Sequence, residues 1–237
     1  GTYDLTNSLG DGYSDGDKNP DGSGKYLTQS EMDEIIAYAN ANGIKVCPSL
    51  NVPGHMGAIL EEFESLRYPG SKSSIDLTSD EAKAFAKALI EKYATYFESK
   101  GCEYFSFGAD EYANDLSTMG FENIYNNGIY KEHFVPFFND VAAIIKSHNM
   151  IPRAFNDGVM YKSDATVEMD KDVQINYWSS GWNGYNLAPA TFLNEQGFDL
   201  INTNQSHYWV LGKPDWQPTV NSAANFDITV FDGSVVY

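Results

Sequence analysis

Two adjacent carboxylates, Asp110 and Glu111, directly follow an apolar stretch of the chain. That stretch, Tyr104 to Phe107, has the composition of a short buried strand, so the two acids stand at its carboxyl end. A buried strand holds such side chains in a fixed position against a bound substrate. Asp-Glu also occurs at 33–34 and 80–81, but those pairs lie in polar segments with helical periodicity. The pair at 110–111 therefore predicts a carboxylate active site.

Polar or aromatic residues also follow the other apolar stretches that we predict as strands. The predicted strands run over 44–50, 104–107, 151–155, 173–178 and 199–203. The residues at their carboxyl ends that could contact a ligand are His55, Asn156, Asp157, Trp178, Trp182, His207, Tyr208 and Trp209. Aromatic faces stack on the C–H surface of a sugar, while carboxylates and amides bind its hydroxyls. The set predicts a sugar-binding pocket, although Asn156 and Asp157 could equally cap the next segment.

Helical patterns separate these strands. Capping boxes at 28–31 and 78–81, with Thr28 and Thr78 as the caps, predict helices that run through Asn42 and over 82–99. Further helices are predicted at 131–148 and 190–195, and a weak sixth strand at 226–231. Helices that alternate with short apolar strands favour a parallel α/β sheet.

The predicted fold class is α/β, a (β/α)8 TIM-type barrel. Five strands in a row, each preceded by helical or loop segments, favour such a barrel over an open doubly wound sheet. A barrel needs eight strands to close, and this chain supplies about five to six. We therefore expect residues 1–237 to form a single partial catalytic barrel domain, with 1–27 as a loop rich in Gly and Asp.

Composition excludes several partners. The net charge is −18, from 33 acidic and 15 basic residues, and such a chain repels nucleic acid and anionic membrane surfaces. No apolar run approaches the roughly 18 residues that membrane insertion requires. Asp17, Asn19 and Asp21 match the first half of a calcium loop, but Thr28 stands where a bidentate Glu belongs. A solvated turn is the alternative to calcium there, and we otherwise expect no metal and no cofactor.

Several ordered motifs resemble those of one enzyme family. They are Asn-Val-Pro-Gly-His-Met at 51–56, Phe-Gly-Ala-Asp-Glu-Tyr-Ala-Asn-Asp at 107–115, Ala-Phe-Asn-Asp-Gly at 154–158, and Tyr-Trp-Ser-Ser-Gly-Trp-Asn-Gly-Tyr-Asn-Leu at 177–187. Together they closely resemble the catalytic domain of glycoside hydrolase family 20. The nearest resemblance is to the bacterial surface exo-β-N-acetylglucosaminidases, over roughly residues 27–212.

The resemblance implies a retaining exo-β-N-acetylhexosaminidase that removes terminal GlcNAc or GalNAc by substrate-assisted catalysis. In that scheme the substrate's own 2-acetamido oxygen attacks the anomeric carbon and forms an oxazolinium ion. By resemblance, Glu111 is the general acid and base, and Asp110 orients the acetamido group. Tyr208 bonds the acetamido oxygen, and His55 supports the acid. Trp178 or Trp182 lines the N-acetyl pocket.

Two other functions stay open at this point. One is a lacto-N-biosidase of the same family, and the other is a catalytically silent carbohydrate-binding fragment. The family's sugar-gripping arginine and the acidic partner of its histidine come from an early strand, and a pocket tryptophan comes from the last strand. This chain contains no counterpart of them, so we expect further segments or domains of a parent protein to be needed for activity. The resemblance also implies a bacterial protein that is secreted or attached to the cell surface.

Overall fold

The computed structural model describes residues 27–116, 120–182, 185–208, 218–231 and 234–236. The strands in these ranges are β1 (Ser49–Val52), β2 (Tyr104–Gly108), β3 (Ile151–Phe155), β4 (Gln174–Tyr177), β5 (Leu200–Asn202), β6 (Val230–Phe231) and β7 (Ser234–Val235). The α-helices are α1 (Gln29–Ala41), α2 (Gly57–Leu60), α3 (Asp80–Ser99), α4 (Gly120–Asn126), α5 (Val135–Ser147), α6 (Ala190–Glu195), α7 (Gln205–Tyr208) and α8 (Val220–Ala224). Two 3₁₀ turns lie at Glu64–Leu66 and Tyr161–Ser163, and a π-helical turn lies at Tyr130–Phe134.

Five strands form one parallel sheet in the order β1-β2-β3-β4-β5. The spatial order follows the chain order without reversal, which is the arrangement of a barrel wall; a doubly wound sheet reverses direction at a switch point. Helices α3, α5 and α6 connect successive strands. The predicted α/β barrel architecture is therefore confirmed.

The first strand begins later than predicted. The sequence favoured 44–50, whereas β1 covers Ser49–Val52. Pro48 has no N–H to donate, and pairing with β2 starts at its carbonyl, which accepts a hydrogen bond from the backbone N–H of Ser106 at 2.8 Å. The residues before Pro48 precede the ladder, and Ile44 is exposed.

The predicted sixth strand at 226–231 is not a barrel strand. Only Val230–Phe231 is extended, and it pairs antiparallel with β7. In the sequence, Asp-Gly at 232–233 is a hairpin signal, and the described residues on its two sides pair antiparallel. The side chain of Asn202 attaches the hairpin to β5, because its amide donates to the carbonyls of Ile228 and Val230 at 3.2 and 2.9 Å.

Helices α3 and α5 cover one face of the sheet. The buried residues of α3 recur at helical spacing, and Phe97 packs edge-on against Phe105 of β2 at 6.1 Å between ring centroids. On α5, Phe138 packs against Phe107 of the same strand at 5.0 Å. Four of the five residues of β2 are buried, so the strand that precedes the two carboxylates is held within the core. Among the described residues, no helix has both the length and the apolar character to cross a membrane.

The two predicted capping boxes have different outcomes. At α1 the box is confirmed, because Thr28 Oγ1 accepts from the N–H of Glu31 at 3.3 Å and Glu31 Oε2 accepts from the N–H of Thr28 at 2.8 Å. At α3 the prediction is wrong by one residue. Ser79 is the N-cap and accepts from the N–H of Ala82 at 3.2 Å, while Thr78 bonds to Asp76 in the preceding turn.

This shift gives a test of the start of α3. We expect Ser79→Ala to lower the free energy of unfolding by about 1 kcal/mol, because the N–H of Ala82 loses its acceptor. The matched change Thr78→Ala should cost less than about 0.5 kcal/mol, since Thr78 is exposed and outside the helix. Urea unfolding of the two variants makes the comparison, and an equal or larger loss in Thr78→Ala would contradict Ser79 as the cap.

Candidate active site

The carboxyl ends of β1 and β2 bring His55, Asp110 and Glu111 together. These strands are neighbours, with Val52 opposite Gly108, so the loops that follow them start side by side. His55 Nε2 lies 3.3 Å from Asp110 Oδ2 and also 3.3 Å from Glu111 Oε2. One imidazole nitrogen therefore faces both carboxylates that the sequence singled out.

The three side chains differ in exposure. Asp110 is 10% exposed, Glu111 is 29% and His55 is 43%. Hydrogen bonds to Asp110 and Glu111 raise the pKa of His55 from 6.5 to about 10. At neutral pH the ring is an imidazolium that offsets part of the carboxylate charge. This contact fits the expected support of Glu111 by His55.

Asp110 is fixed by a residue of the preceding strand. The side-chain amide of Asn51 in β1 donates to Asp110 Oδ1 at 3.1 Å, which leaves Oδ2 facing His55. The approach needs glycine at position 108, because a Cβ there would lie 2.4 Å from Asn51 Cγ and the backbone φ is +69°. Asn51 is the first residue of the motif at 51–56, but the sequence did not indicate its role.

Residues 71–75 connect the loop that carries His55 to the loop that carries Asp110 and Glu111. On one side, Ile75 N–H donates to the carbonyl of Pro53 at 3.0 Å, next to the His55 loop. On the other side, Tyr112 Oη donates to the carbonyl of Ile75 at 2.8 Å, and Ala113 N–H donates to Ser74 Oγ at 2.8 Å. These bonds fix the position of His55 relative to the two carboxylates, and no periodic pattern in the sequence indicated them.

Half of the eight non-glycine residues of positive φ in the described part of the chain lie in the same loops. His55, Ala109, Glu111 and Ala113 all have positive φ, between 46° and 61°. Non-glycine residues adopt this region at a cost of about 1–3 kcal/mol each, so it persists only where surrounding contacts enforce it. Two of the four strained residues are candidates for catalysis.

Asp157 lies beneath Glu111 and is completely buried. Its Oδ2 accepts from the backbone N–H of Glu111 at 3.1 Å, and its Oδ1 accepts from Trp178 Nε1. Burial and the nearby charge of Asp110 raise the pKa of Asp157 from 3.8 to about 8. One carboxyl group thus orients both the backbone of Glu111 and the side chain of Trp178.

The prediction that Asn156 and Asp157 bind substrate needs correction. Both have no exposed surface, and both side chains are used within the protein. The amide of Asn156 donates to the carbonyl of Ser179 at 2.8 Å and accepts from the N–H of Trp178 at 3.0 Å. Asn156 and Asp157 follow β3, and Trp178 follows the neighbouring strand β4. Their polar groups therefore hold the loop after β4 in place instead of facing a sugar.

Three aromatic rings form a wall beside the carboxylates. Trp178 and Trp182 have ring centroids 5.2 Å apart, tilted at 54°. Trp182 in turn stacks on Tyr185 at 4.7 Å with an interplanar angle of 9°. Tyr185 is buried, and its hydroxyl donates to Asn114 Oδ1 at 2.7 Å, in the loop that follows Glu111. The sequence predicted the two tryptophans as pocket residues but missed the tyrosine that supports them.

The loop after β5 is described only in part. His207 is half-buried, with Nδ1 3.1 Å from the carbonyl of Ser222 and its ring 5.0 Å from that of Phe226. These contacts pack His207 against α8 and the residues after it, and its contact with substrate stays a prediction. The side chain of Tyr208 and the whole of Trp209 lie outside the described residues, as do Asp17, Asn19 and Asp21 of the calcium motif.

Paired carboxylates at the end of a barrel strand, with an imidazole and aromatic rings nearby, are typical of the active site of a glycoside hydrolase. The chain belongs to glycoside hydrolase family 20, because the model of the family's catalytic domain matches residues 4–230. The resemblance found in the sequence motifs is thereby confirmed.

Individual relatives agree with the family. The chain is 29% identical over 225 residues to a lacto-N-biosidase of Bifidobacterium bifidum, covering 88% of this chain and 19% of that protein. It is 29% identical over 223 residues to β-hexosaminidase subunit A2 of Dictyostelium discoideum, covering 88% and 40%. The solved structure of a catalytic module of the pneumococcal exo-β-D-N-acetylglucosaminidase StrH superposes with a TM-score of 0.77 at 40% identity, covering 86% of this chain and 52% of that one. The chain thus spans about half of that structure and less of the two curated relatives.

The raised pKa of Asp157 has a consequence for stability. The folded protein keeps a proton that the unfolded chain loses near pH 3.8, so this group lowers the free energy of unfolding as the pH rises from about 4 to about 8. We expect Asp157→Asn to flatten that decline, and also to lower stability throughout because an amide N–H₂ then meets an N–H donor.

Asp164 provides the control, because its pKa shifts in the opposite direction. Burial raises the pKa of Asp164, but hydrogen bonds from Lys131 and Thr166 lower this pKa by more, so the overall shift is downward. Asp164→Asn should therefore change the slope of the free energy of unfolding against pH only at acid pH. Between pH 5 and 8 this slope should stay unchanged. Thermal unfolding across pH 4–8 measures both variants, and an unaltered slope in Asp157→Asn would show that Asp157 titrates normally.

Proposed function

We propose that this chain carries the catalytic acid and the acetamido-orienting carboxylate of a retaining exo-β-N-acetylhexosaminidase. The observation that carries the proposal is the contact of one His55 nitrogen with both Asp110 and Glu111, in a member of family 20. The substrate class is a glycan with a terminal β-linked N-acetylhexosamine. Support for GlcNAc comes from the 40% identity to an exo-β-D-N-acetylglucosaminidase.

The geometry favours substrate assistance over a protein nucleophile. Asp110 and Glu111 are adjacent in sequence and converge on one nitrogen, so they approach a sugar from the same side. A protein nucleophile and an acid must instead flank the scissile bond, whereas substrate-assisted enzymes use the acetamido oxygen as the nucleophile. A single acid and a nearby carboxylate that steers the acetamido group are then sufficient.

The proposed reaction has two proton transfers, both through Glu111. As the acetamido oxygen bonds to C1, the C1–O bond to the leaving group breaks, and the leaving oxygen takes the proton of Glu111. Water then attacks C1, gives a proton to the Glu111 carboxylate and opens the oxazolinium ring. The buried Asp110 side chain accepts a hydrogen bond from the acetamido N–H and stabilises the positive charge that develops on the ring.

His55 links these roles. Because its Nε2 lies 3.3 Å from an oxygen of each carboxylate, His55 holds the side chains of Asp110 and Glu111 on the same side of the site. Trp178, held by Asp157, and Trp182 supply the apolar surface for the N-acetyl group, and Tyr208 supplies a hydroxyl to its oxygen. None of these steps calls for a metal or a cofactor.

The substrate class indicates where the protein acts. Complex glycans with terminal N-acetylhexosamine are displayed outside cells, so we place the protein in an extracellular setting, secreted or attached to a bacterial surface. Its excess of 18 negative charges opposes binding to nucleic acid. Further segments of the parent protein would supply the outer contacts to the sugar.

Replacement of the acid tests this mechanism. In the full-length protein, we expect Glu111→Gln to slow hydrolysis of alkyl β-N-acetylglucosaminides by about 10²–10⁴-fold, with KM nearly unchanged. For the first bond cleavage, the loss should be smaller with a dinitrophenyl leaving group, because that group departs without a proton.

The matched control is Glu103→Gln, at the opposite end of β2, where Glu103 pairs with Lys45 on the surface. Its rates should equal those of the unaltered protein. Equal losses with good and poor leaving groups would remove Glu111 from the role of general acid.

A substrate panel separates the two activities within the family. We expect aryl β-GlcNAc to be hydrolysed at least tenfold faster, by kcat/KM, than aryl lacto-N-bioside, because the more similar relative removes single GlcNAc residues. Aryl β-GalNAc completes the panel. Preference for the disaccharide would assign the protein to the lacto-N-biosidases instead, and binding without turnover of any of the three would indicate a silent carbohydrate-binding protein.

A further inference from the structure

We propose that His55, Asp110 and Glu111 form an inhibitory site for a divalent transition metal such as Zn²⁺. Their donor atoms, one imidazole nitrogen and two carboxylate oxygens, all lie within 4.8 Å of one another. Zn²⁺ accepts this combination of nitrogen and oxygen ligands, and three protein ligands leave its fourth position open. The inference deepens the proposed function, because the metal would occupy the groups that move the proton.

The distances suit a tetrahedral ion. Bonds from zinc to nitrogen or oxygen of 2.0–2.2 Å place neighbouring ligand atoms about 3.3–3.6 Å apart. His55 Nε2 is 3.3 Å from each carboxylate oxygen, so two of the three edges already have this length. The third edge can close because Glu111 is 29% exposed and its side chain can adjust.

Supporting contacts orient the ligands. Asn51 bonds the Asp110 oxygen that does not face His55, and Asp157 bonds the backbone of Glu111. Such outer contacts hold ligands in place in metal sites.

A second cluster of a histidine with carboxylates lacks this geometry. His148 contacts Glu98 through Nδ1 at 2.8 Å and Glu91 through Nε2 at 2.9 Å. The two nitrogens point away from each other, so the two carboxylates cannot meet at one ion. His148 therefore provides a matched control on the same chain.

The direct test is calorimetric titration of the full-length protein with ZnCl₂ and, separately, MgCl₂. We expect one Zn²⁺ per chain, and weaker binding by at least about tenfold in both His55→Gln and Glu111→Gln. His148→Gln should bind as the unaltered protein does. Mg²⁺ should give no saturable heat, since it prefers octahedral oxygen ligands. Two variants of the site are used so that failure of one to fold, checked by circular dichroism, leaves the other decisive.

The results separate this inference from the proposed function. Absence of saturable zinc binding, binding that His148→Gln abolishes, or binding that Glu111→Gln leaves intact would overturn the metal site. If the protein hydrolyses aryl β-GlcNAc, Zn²⁺ at its binding concentration should reduce the rate at least tenfold, with recovery on addition of EDTA. Zinc binding at His55 in a protein that hydrolyses no substrate would leave the metal site standing and reject the proposed function. Hydrolysis that Zn²⁺ at this concentration does not slow would reject the inhibitory metal site and leave the proposed function standing.

Discussion

The close approach of β1 to β2 at Gly108 is the constraint on which the site depends. Only a residue without a side chain lets the end of β2 pass Asn51, whose amide then fixes Asp110. From that point the chain turns through residues of positive φ, which place Glu111 beside Asp110 and direct both toward His55. The strain is sustained by α3 and α5, which pack on both phenylalanines of β2 and keep the strand from shifting.

The crowding of carboxyl groups is the second physical problem that this fold solves, and the raised pKa of Asp157 keeps that group mainly protonated near neutral pH. Three carboxyl groups, those of Asp110, Glu111 and Asp157, lie close together, and burial of charge is costly. Their partners are the imidazole of His55, the amide of Asn51, the backbone N–H of Glu111 and the indole N–H of Trp178. The two proposals made above draw on this one arrangement, since the groups proposed to transfer the proton are also those proposed to bind a dication.

Much of the fold was predictable because local signals agreed with the tertiary structure. The bounds of β3 and α6 match their predictions, since apolar composition and turn residues mark both ends. The errors arose where a local detail decided the outcome. Pairing of β1 starts at Pro48, Ser79 is the cap in place of Thr78, and β6 pairs antiparallel with β7 instead of extending the parallel sheet.

The sequence by itself determined the family, the parallel order of helices and strands, and the placement of Asp110, Glu111, His55 and two tryptophans at strand ends. Residue type and local periodicity encode these features. Only the tertiary structure decided that Asp157 and Asn156 are buried supports, and that Asn51 and Ser74 position the carboxylates. The bonds responsible join residues 46 and 59 positions apart, as in Asp157 with Glu111 and Asn51 with Asp110. Such contacts exist only once the strands have paired, so no local pattern in the chain announces them.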